Sequence, residues 1–244
     1  MKYKTGKLAA KASYKTLRLR SYLTDALPAP PTSYDAAAAA MAKVGITSIP
    51  VMFPMDNNDT LGCCTIAAVA HAMAIYFGLV GAAHVVSADT VKAVYLQLTG
   101  GQDCGCAELD VLDYWKSNPV AGEQILSYAS IDKSNSEHIK QSVMLFGGVY
   151  IGIQVPVSMQ DDFEAGRVMQ VGPLTQDGHA VYISGYDAET VSILTWGGML
   201  KMTWACFFDC CDEAYAILPP QANQPGFAVG FDSAQLQSDF AAMS

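Results

Sequence analysis

The sequence predicts an α+β fold in which a helical part comes first and an antiparallel sheet follows. Segments with helical features precede residue 147, and after that point apolar residues recur at every second position, as is typical of strands. This order indicates a helical lobe packed against an antiparallel sheet. The chain has 244 residues, of which 51% are hydrophobic and 15% charged, so it can bury the core of one domain or of two lobes that share a cleft.

The first predicted helix follows a proline-rich connection, LPAPPTS, which is expected to be extended. In the segment YDAAAAAMAKVG, Asp35 is a candidate cap and Gly45 a stop. The next helix, from about Cys64 to Gly78, is apolar on most sides, which predicts a buried position in the middle of a domain. Three further helices are expected over the segments SADTVKAVYLQLTGG, CAELDVLDYWKSN and SEHIKQSVMLFG.

The strand pattern is clearest in VYIGIQVP, where Val149, Ile151, Ile153 and Val155 occupy alternate positions. The other predicted strands are HAVYISGYD, TVSILTW, KMTWACFF and EAYAIL. After them, PPQANQPG is expected to leave the core, and DSAQLQSDFAAM to form a short terminal helix or a tail.

We divide the chain into three parts by sequence character. Residues 1–49 form a basic N-terminal arm with its proline-rich linker, residues 50–218 form the main domain, and residues 219–244 form a C-terminal tail. Within the main domain, the helical lobe covers about 50–145 and the β lobe about 146–218.

Positive charge is concentrated in the arm. Half of the fourteen Lys and Arg residues precede the first acidic residue, and the rest of the chain carries seven basic residues against 23 acidic ones. One interpretation is a solvated tail, and the other is an arm that docks on nucleic acid or on an acidic face of a neighbouring subunit. The sequence does not choose between them. The basic residues of the arm are Lys2, Lys4, Lys7, Lys11, Lys15, Arg18 and Arg20.

The sequence predicts neither membrane insertion nor export. No uninterrupted apolar run approaches the roughly 20 residues that cross a bilayer, and the N-terminal segment lacks the apolar core of a signal peptide. We therefore expect a cytoplasmic protein without a membrane partner. Seven cysteines, an odd number, favour free thiols over a complete disulfide framework.

Cys63 and Cys64 lie where a polar loop becomes the apolar helix. A thiol in the first turn of a helix is near the positive end of the helix dipole and near unpaired N–H groups, and both stabilise a thiolate. A thiolate nucleophile also needs an acid–base partner. His71 lies about 10 Å further along the same helix at 1.5 Å per residue, which is too far for a hydrogen bond and indicates a core or supporting role. His179 opens a strand directly after a glycine turn, and it is the better candidate if the sheet packs on the amino end of the helix.

These segments resemble, in order, the papain-like cysteine peptidase superfamily. GCCTIAA resembles the nucleophile segment, GGQDCGC resembles a glycine and cysteine turn, and VYIGIQVP, GHAVYISGYD, ILTWGG and DEAYAIL resemble successive strands of the β lobe. The resemblance covers about residues 58–218 and implies a papain-like two-lobed fold, with a buried central helix in the helical lobe. The arm, the LPAPP linker and the LFG, TWG and CDEA segments also resemble uncharacterised papain-fold proteins of phages and prophages.

The resemblance implies a site made of four residues. Cys64 takes the place of the nucleophile and His179 that of its acid–base partner. Asn58, six residues before Cys64, takes the place of the amide that binds the oxyanion, unless the register moves by one to Asn57. The residue that orients the histidine is Thr195, sixteen positions after His179, or Leu194 if the Trp-Gly pair sets the register.

The chain departs from the papain pattern at several positions. Leu61 stands where the family has a cysteine, and Thr65 stands where it has a large aromatic residue. Papain-like enzymes bridge the nucleophile segment to a nearby loop, which implies that Cys63 faces the turn with Cys104 and Cys106 and forms a disulfide only in an oxidising setting. A threonine also orients an imidazole less firmly than an amide does.

The function implied by the resemblance is acyl transfer by a cysteine nucleophile, as a peptidase or isopeptidase acting on a peptide or protein, and deamidation and transglutamination share the same steps. The alternative is a catalytically inactive papain-fold protein with a structural or interaction role in a phage particle. The alternative implies a location in the host cytoplasm or the virion and allows a virion or homo-oligomeric assembly.

Metal binding is the weakest hypothesis, and we expect neither a metal nor a cofactor. Cys104 with Cys106, or Cys206 with Cys210 and Cys211, offers thiolates, but neither set has the paired spacing of zinc sites. Packing explains Cys206 and Cys210 better. Core packing is also preferred over a role in lining a cleft for four aromatic residues, namely Trp196, Trp204, Phe207 and Phe208.

Overall fold

The structure is a computed structural model that describes residues 2–11, 16–223 and 230–243. It contains helices and one antiparallel sheet whose strands differ in length, so the predicted α+β class is confirmed. The α-helices are α1 (Ala36–Val44), α2 (Ile49–Met52), α3 (Cys64–Leu79), α4 (Ala88–Leu98), α5 (Glu108–Ser117), α6 (Ser136–Phe146), α7 (Met159–Ala165), α8 (Trp204–Cys210) and α9 (Ser233–Ala242).

The strands are β1 (Tyr34–Asp35), β2 (Ser127–Ser130), β3 (Val149–Pro156), β4 (Leu174–Tyr186), β5 (Thr190–Thr195), β6 (Gly198–Thr203) and β7 (Cys211–Leu218). The sheet order is β2-β7-β3-β4-β5-β6, and β1 pairs with the end of β4. All named strand pairs are antiparallel.

Local sequence signals place the helix ends where they were predicted. Asp35 caps α1 by accepting a hydrogen bond of 2.9 Å from the backbone N–H of Ala38, and Gly45 ends the helix in the left-handed region. The central helix α3 begins at Cys64, as predicted, and almost all of its residues are buried. It packs against α1 on one side and against β4 on the other, so it lies between the helical part and the sheet.

One predicted strand is wrong over half its length. KMTWACFF continues β6 only as far as Thr203, and the helix α8 then begins at Trp204. The reason is a cap, because the Thr203 hydroxyl accepts a hydrogen bond of 3.2 Å from the N–H of Cys206. The short elements β1, β2 and α7 were not predicted, since each is brief and carries little periodic signal.

Packing crosses both boundaries that separate the main domain from its flanking parts. Before residue 50, β1 pairs with β4, and Ala36, Ala37 and Ala40 of α1 are fully buried. After residue 218, α9 packs against β2, which itself lies within residues 50–145. Part of the segment PPQANQPG lies outside the described residues. The division therefore describes the sequence character of these regions, while their packing is continuous.

Within the described part of the chain, none of the helices has the length and apolar character needed to span a membrane.

Candidate active site

Cys64 lies at the junction of the central helix and the sheet. It is the first residue of α3, it is fully buried, and its Sγ accepts a hydrogen bond of 3.4 Å from the backbone N–H of Ala180 in β4. Burial raises the pKa of the Cys64 thiol to about 11, although N–H groups of Ala180, Gly6 and Thr65 favour the thiolate and partly oppose this effect. The predicted meeting of the helix start with the strand that carries His179 is therefore present.

His179 is held from two sides. Contrary to the sequence prediction, it does not open a strand but lies inside β4, which already begins at Leu174, and the pairing with β3 places it opposite Ile153. Its Nε2 is 2.8 Å from the hydroxyl of Thr195, and the ring of Trp196 stacks on the imidazole with a centroid distance of 4.8 Å. Burial lowers the pKa of His179 to about 3, so the ring is neutral at neutral pH.

The structure distinguishes between the two candidate orienting residues. Thr195 ends β5 and reaches His179, whereas Leu194 pairs with Tyr182 and Met199 across the sheet. With Nε2 directed to Thr195, the second ring nitrogen, Nδ1, is buried and has no hydrogen-bond partner. The Nδ1 atom is therefore available for exchange of a proton with a neighbouring group.

The structure also distinguishes between the two asparagines. The Nδ2 of Asn57 donates a hydrogen bond of 2.7 Å to the backbone oxygen of Ala88, so its amide already has a structural partner. Asn58 is buried, its Oδ1 has no hydrogen-bond partner, and its backbone oxygen faces the N-terminal arm. The two asparagines therefore differ, because the Asn57 amide nitrogen is used in a structural bond and the Asn58 amide oxygen has no partner.

The N-terminal arm occupies the cleft, which the sequence did not predict. Lys4 N–H donates to the oxygen of Asn58 (3.2 Å), and Lys7 N–H donates to the oxygen of Gly178 (3.1 Å). On the opposite wall, the N–H of Cys106 donates to the oxygen of Gly6 at 2.9 Å. These bonds lay the arm along the cleft as an extended segment.

Gly6 is the arm residue that covers Cys64. Its N–H group favours the Cys64 thiolate, which places the two residues in contact. A Cβ atom at Gly6 would be 2.0 Å from the backbone oxygen of Gly62, so no other residue fits without displacement. Beside it, the ring of Tyr3 stacks on Trp196 with a centroid distance of 4.9 Å. The arm therefore excludes solvent and other molecules from the sulfur.

Trp196 is part of the candidate site, although the sequence favoured a role in core packing. It lies between the imidazole of His179 and the ring of Tyr3, and its φ of 47° falls in the left-handed region. The sequence signal that pointed to it was the TWG segment, which defines the turn after β5. Trp204, Phe207 and Phe208 instead form an aromatic group around α8, in which Phe207 is buried but Phe208 is exposed, so the prediction of core packing is wrong for Phe208.

The other cysteines and His71 lie outside the candidate catalytic group. All seven cysteines are free thiols, and the Sγ of Cys63 donates a hydrogen bond of 3.3 Å to the backbone oxygen of Asp56. His71 is buried and its Nε2 contacts the oxygen of Pro54 at 2.9 Å, in agreement with a core or supporting role. The described residues contain no group of three or more His, Cys, Asp or Glu side chains arranged to hold a metal ion.

Solved structures of cysteine proteases share this architecture. Xylellain from Xylella fastidiosa aligns with a TM-score of 0.67 at 15% identity, over 89% of this chain and 97% of that protein. ProCathepsin B S9 from Trypanosoma congolense aligns with a TM-score of 0.62 at 15% identity, over 89% and 86%. Procathepsin L 3 of Tenebrio molitor aligns with a TM-score of 0.58 at 13% identity, over 86% and 75%.

At this level of identity, the comparison shows the fold alone, and the predicted papain-like fold is confirmed. No family model matches the sequence, and no curated protein matches it.

Proposed function

We propose that this chain is a cysteine-nucleophile acyl-transfer enzyme of papain-like type, a hydrolase that acts as a peptidase or isopeptidase. The observation that carries this proposal is the hydrogen bond between the Cys64 sulfur and the N–H of Ala180. It brings the thiol at the positive end of α3 against the strand residue that follows His179, whose Nε2 contacts Thr195 while its Nδ1 has no hydrogen-bond partner. The fold shared with cysteine proteases supports the same reaction class.

In the proposed reaction, His179 takes the thiol proton and the Cys64 sulfur attacks the acyl carbon of the substrate. The oxyanion is held by the backbone N–H of Cys64 and the side chain of Asn58. His179 then gives the proton to the leaving group, and the bond from that group to the acyl carbon breaks. Water attacks the acyl-enzyme and gives a proton to His179, and the C–S bond breaks as His179 passes that proton to the sulfur and restores the thiol.

The arm has to leave the cleft before a substrate reaches the sulfur, because Gly6 covers Cys64. We therefore propose that the described state is the closed form of the enzyme. Substitution of Gly6 by Val opens it selectively, since the added Cβ would meet the backbone of Gly62 rather than a flexible side chain. Ala10 is on the same arm and exposed, so Ala10→Val is the matched control.

The experiment measures the rate at which an epoxysuccinyl probe labels the protein at neutral pH, with the modified residue mapped by mass spectrometry. We expect G6V to be labelled at Cys64 at least tenfold faster than the unmodified chain, and A10V to be labelled at the unmodified rate. In the G6V background, Cys64→Ala abolishes labelling and His179→Ala slows it. An unreactive Cys64 in G6V, or full labelling after Cys64→Ala, would contradict the proposal.

A second proposal is a catalytically inactive papain-fold component of a phage particle, and the observation that favours it is the buried state of Cys64 behind the arm. Here the arm is a permanent part of the fold. Arg18 and Arg20 remain exposed for an acidic protein surface or nucleic acid, within a virion or homo-oligomeric assembly. Co-purification with particles, together with an unreactive Cys64 in G6V, distinguishes this role from that of an enzyme in the host cytoplasm.

A further inference from the structure

The side chain of Lys7 enters a pocket in the wall of the cleft. Although lysine is rarely buried, this side chain has no exposed surface. Its ammonium group is 2.8 Å from Asp212 Oδ2 and 2.8 Å from Glu213 Oε1, and it also donates to the oxygen of Leu8 at 3.1 Å. Burial favours the neutral amine, but the hydrogen bonds to Asp212 and Glu213 outweigh it and raise the pKa of Lys7.

A glycine makes room for this side chain. A Cβ atom at Gly152 would lie 1.8 Å from Cε of Lys7. Gly152 is in β3 and pairs with Glu213 of β7, so the free space and the carboxylate are set side by side by the sheet. The pocket therefore accommodates a long unbranched side chain that ends in a positive charge.

The pocket contains one more carboxyl group than the two that pair with the ammonium group of Lys7. Glu108, at the start of α5, is fully buried, and neither of its carboxyl oxygens has a hydrogen-bond partner. Burial, followed by the negative charge of Glu213, raises its pKa well above the usual range, while the charge of Lys7 acts in the opposite direction. A buried and unpartnered carboxyl group next to an ion pair is costly, and a cation with more donors than lysine would reduce that cost.

The walls of the pocket do not depend on the arm. Glu213 is fixed by a hydrogen bond of 2.8 Å from the hydroxyl of Tyr215, its neighbour along β7. Glu108 and Gly152 belong to α5 and β3, which are parts of the main domain. Only the cation is supplied by the arm. When the arm leaves, the pocket remains as a negatively charged opening in the cleft.

The pocket is close to the proposed reacting atoms. The N–H of Lys7 donates to the oxygen of Gly178, directly before His179, and the preceding arm residue, Gly6, covers Cys64. A peptide residue whose side chain fills this pocket is therefore within one or two residues of the bond that would react.

We propose that the pocket formed by Glu108, Gly152, Asp212 and Glu213 binds a lysine or arginine side chain of the peptide substrate, and that Lys7 occupies it in the closed form. This inference rests on the proposed function, because the bound peptide is a substrate only if the chain is an enzyme. The preference of the pocket for a basic side chain does not depend on a reaction at Cys64. The substrate class is peptides with a basic residue beside the bond that reacts.

The test uses the full chain with Cys64→Ala and Lys7→Glu, which removes the nucleophile and expels the arm by placing a carboxylate beside those of Asp212 and Glu213. The probes are fluorescein-labelled peptides with the arm sequence Tyr-Lys-Thr-Gly-X-Leu, in which X is Lys, Arg, norleucine or Glu. Fluorescence anisotropy gives the Kd of each peptide. We expect the Lys and Arg peptides to bind at least tenfold more tightly than the norleucine peptide, and the Glu peptide to bind most weakly.

The preference for lysine is the Kd of the norleucine peptide divided by the Kd of the Lys peptide. Asp212→Asn in the same background is expected to reduce this ratio at least threefold. Asp212 is suitable because its side chain is 37% exposed, so the change is tolerated by folding. Equal Kd values for the Lys and norleucine peptides, or a ratio that Asp212→Asn leaves unchanged, would overturn the proposal. An inert Cys64 in G6V would instead contradict only the proposed enzymatic function.

A second measurement covers the case in which no peptide binds. In the chain with Cys64 intact, the rate of Cys64 alkylation by iodoacetamide reports how well the arm closes the cleft. Lys7→Arg should keep the slow rate, whereas Lys7→Met and Lys7→Glu should raise it at least tenfold. Lys4→Glu is the matched control, because it makes the same charge change at an exposed arm position. Slow alkylation of Lys7→Met would overturn the proposal.

Discussion

Thr195 is the residue at which this site departs most from an amide-oriented histidine. Its hydroxyl is the one side-chain contact described for His179 Nε2, and Trp196 covers the face of the same ring. A hydroxyl rotates freely about its bond, whereas an amide presents a fixed acceptor oxygen to the ring N–H, so the hydrogen bond contributes less to orientation. The stacked Trp196 ring compensates because it restricts the imidazole plane.

This arrangement predicts a moderate effect of Thr195→Val in the arm-opened G6V background. Loss of one hydrogen bond is worth about 1 kcal/mol, so we expect the rate of probe labelling at Cys64 to fall roughly fivefold to tenfold. Thr195→Ser keeps the hydroxyl and should retain most of the rate. A Val variant that labels as fast as the parent would show that Trp196 alone positions the ring.

The residues of the candidate site differ in how far sequence could predict them. Cys64 was predicted from its position at the start of an apolar helix, whereas Asn58 and Thr195 were predicted only because the resemblance to papain-like peptidases fixes their spacing from Cys64 and His179. Lys7 was not, because its partners Asp212 and Glu213 lie about two hundred positions away and no local pattern links them. Only the fold brings the arm to the carboxylates.

At the scale of elements, the packing of α1 on α3 depends on a glycine inside a helix. Gly78 lies in the last turn of α3, and a Cβ atom there would be 2.7 Å from the Cβ of Ala40 and 3.2 Å from its Cα. In an isolated helix, alanine is favoured over glycine by about 1 kcal/mol. Close contact with α1 reverses this preference.

We therefore expect Gly78→Ala to destabilise the protein by about 1 to 3 kcal/mol, the usual cost of overpacking, as measured by urea denaturation. Ala40→Gly removes the opposing methyl group. If steric contact causes the loss, the two changes together should cost less than the sum of the single changes. Additive losses would place the cause in α3 itself or in contact with Met52, whose Cε would lie 2.8 Å from the added Cβ, rather than in the contact with α1.

Elements with strong periodicity were predicted well, and those set by a single contact were not. The limits of α3 and β3 follow from long apolar patterns. By contrast, KMTWACFF has a strand-like composition, and its second half becomes α8 because Thr203 caps a helix at that point. β2 consists of four residues and exists because it pairs with β7, which a local pattern does not reveal.

At the scale of the whole molecule, the basic arm docks on an acidic surface, but that surface is the cleft of its own chain. The sequence left open a solvated tail or an external partner, and it did not predict docking on the same chain. Residues 2–8 bind through backbone hydrogen bonds along the cleft and through the Lys7 ion pairs. Closure therefore combines a sequence-tolerant backbone interaction with a buried charged anchor at Lys7, and exposed ion pairs of Lys2 with Glu164 and of Lys11 with Asp110 add to it.

Closure by the arm also controls the ionisation of the nucleophile candidate, and this gives a prediction about pH. In the closed form, burial is the largest influence on Cys64 and raises its pKa to about 11. The Gly6 N–H opposes this effect, but removal of the arm admits water to the sulfur, and the gain in solvation exceeds the loss of one donor. The start of α3 continues to favour the thiolate.

We therefore expect the rate of iodoacetamide alkylation at Cys64 to rise with pH along different curves in the two forms. In the unmodified chain, the rate should still be increasing at pH 10, because the thiol remains protonated below its raised pKa. In G6V, the midpoint should fall by at least two pH units, and A10V should follow the unmodified chain. The measurement is a pH series of alkylation rates with the modified cysteine identified by peptide mapping. Coincident curves for G6V and the unmodified chain would mean that the arm neither covers the sulfur nor sets its pKa, and that the protein itself keeps Cys64 protonated.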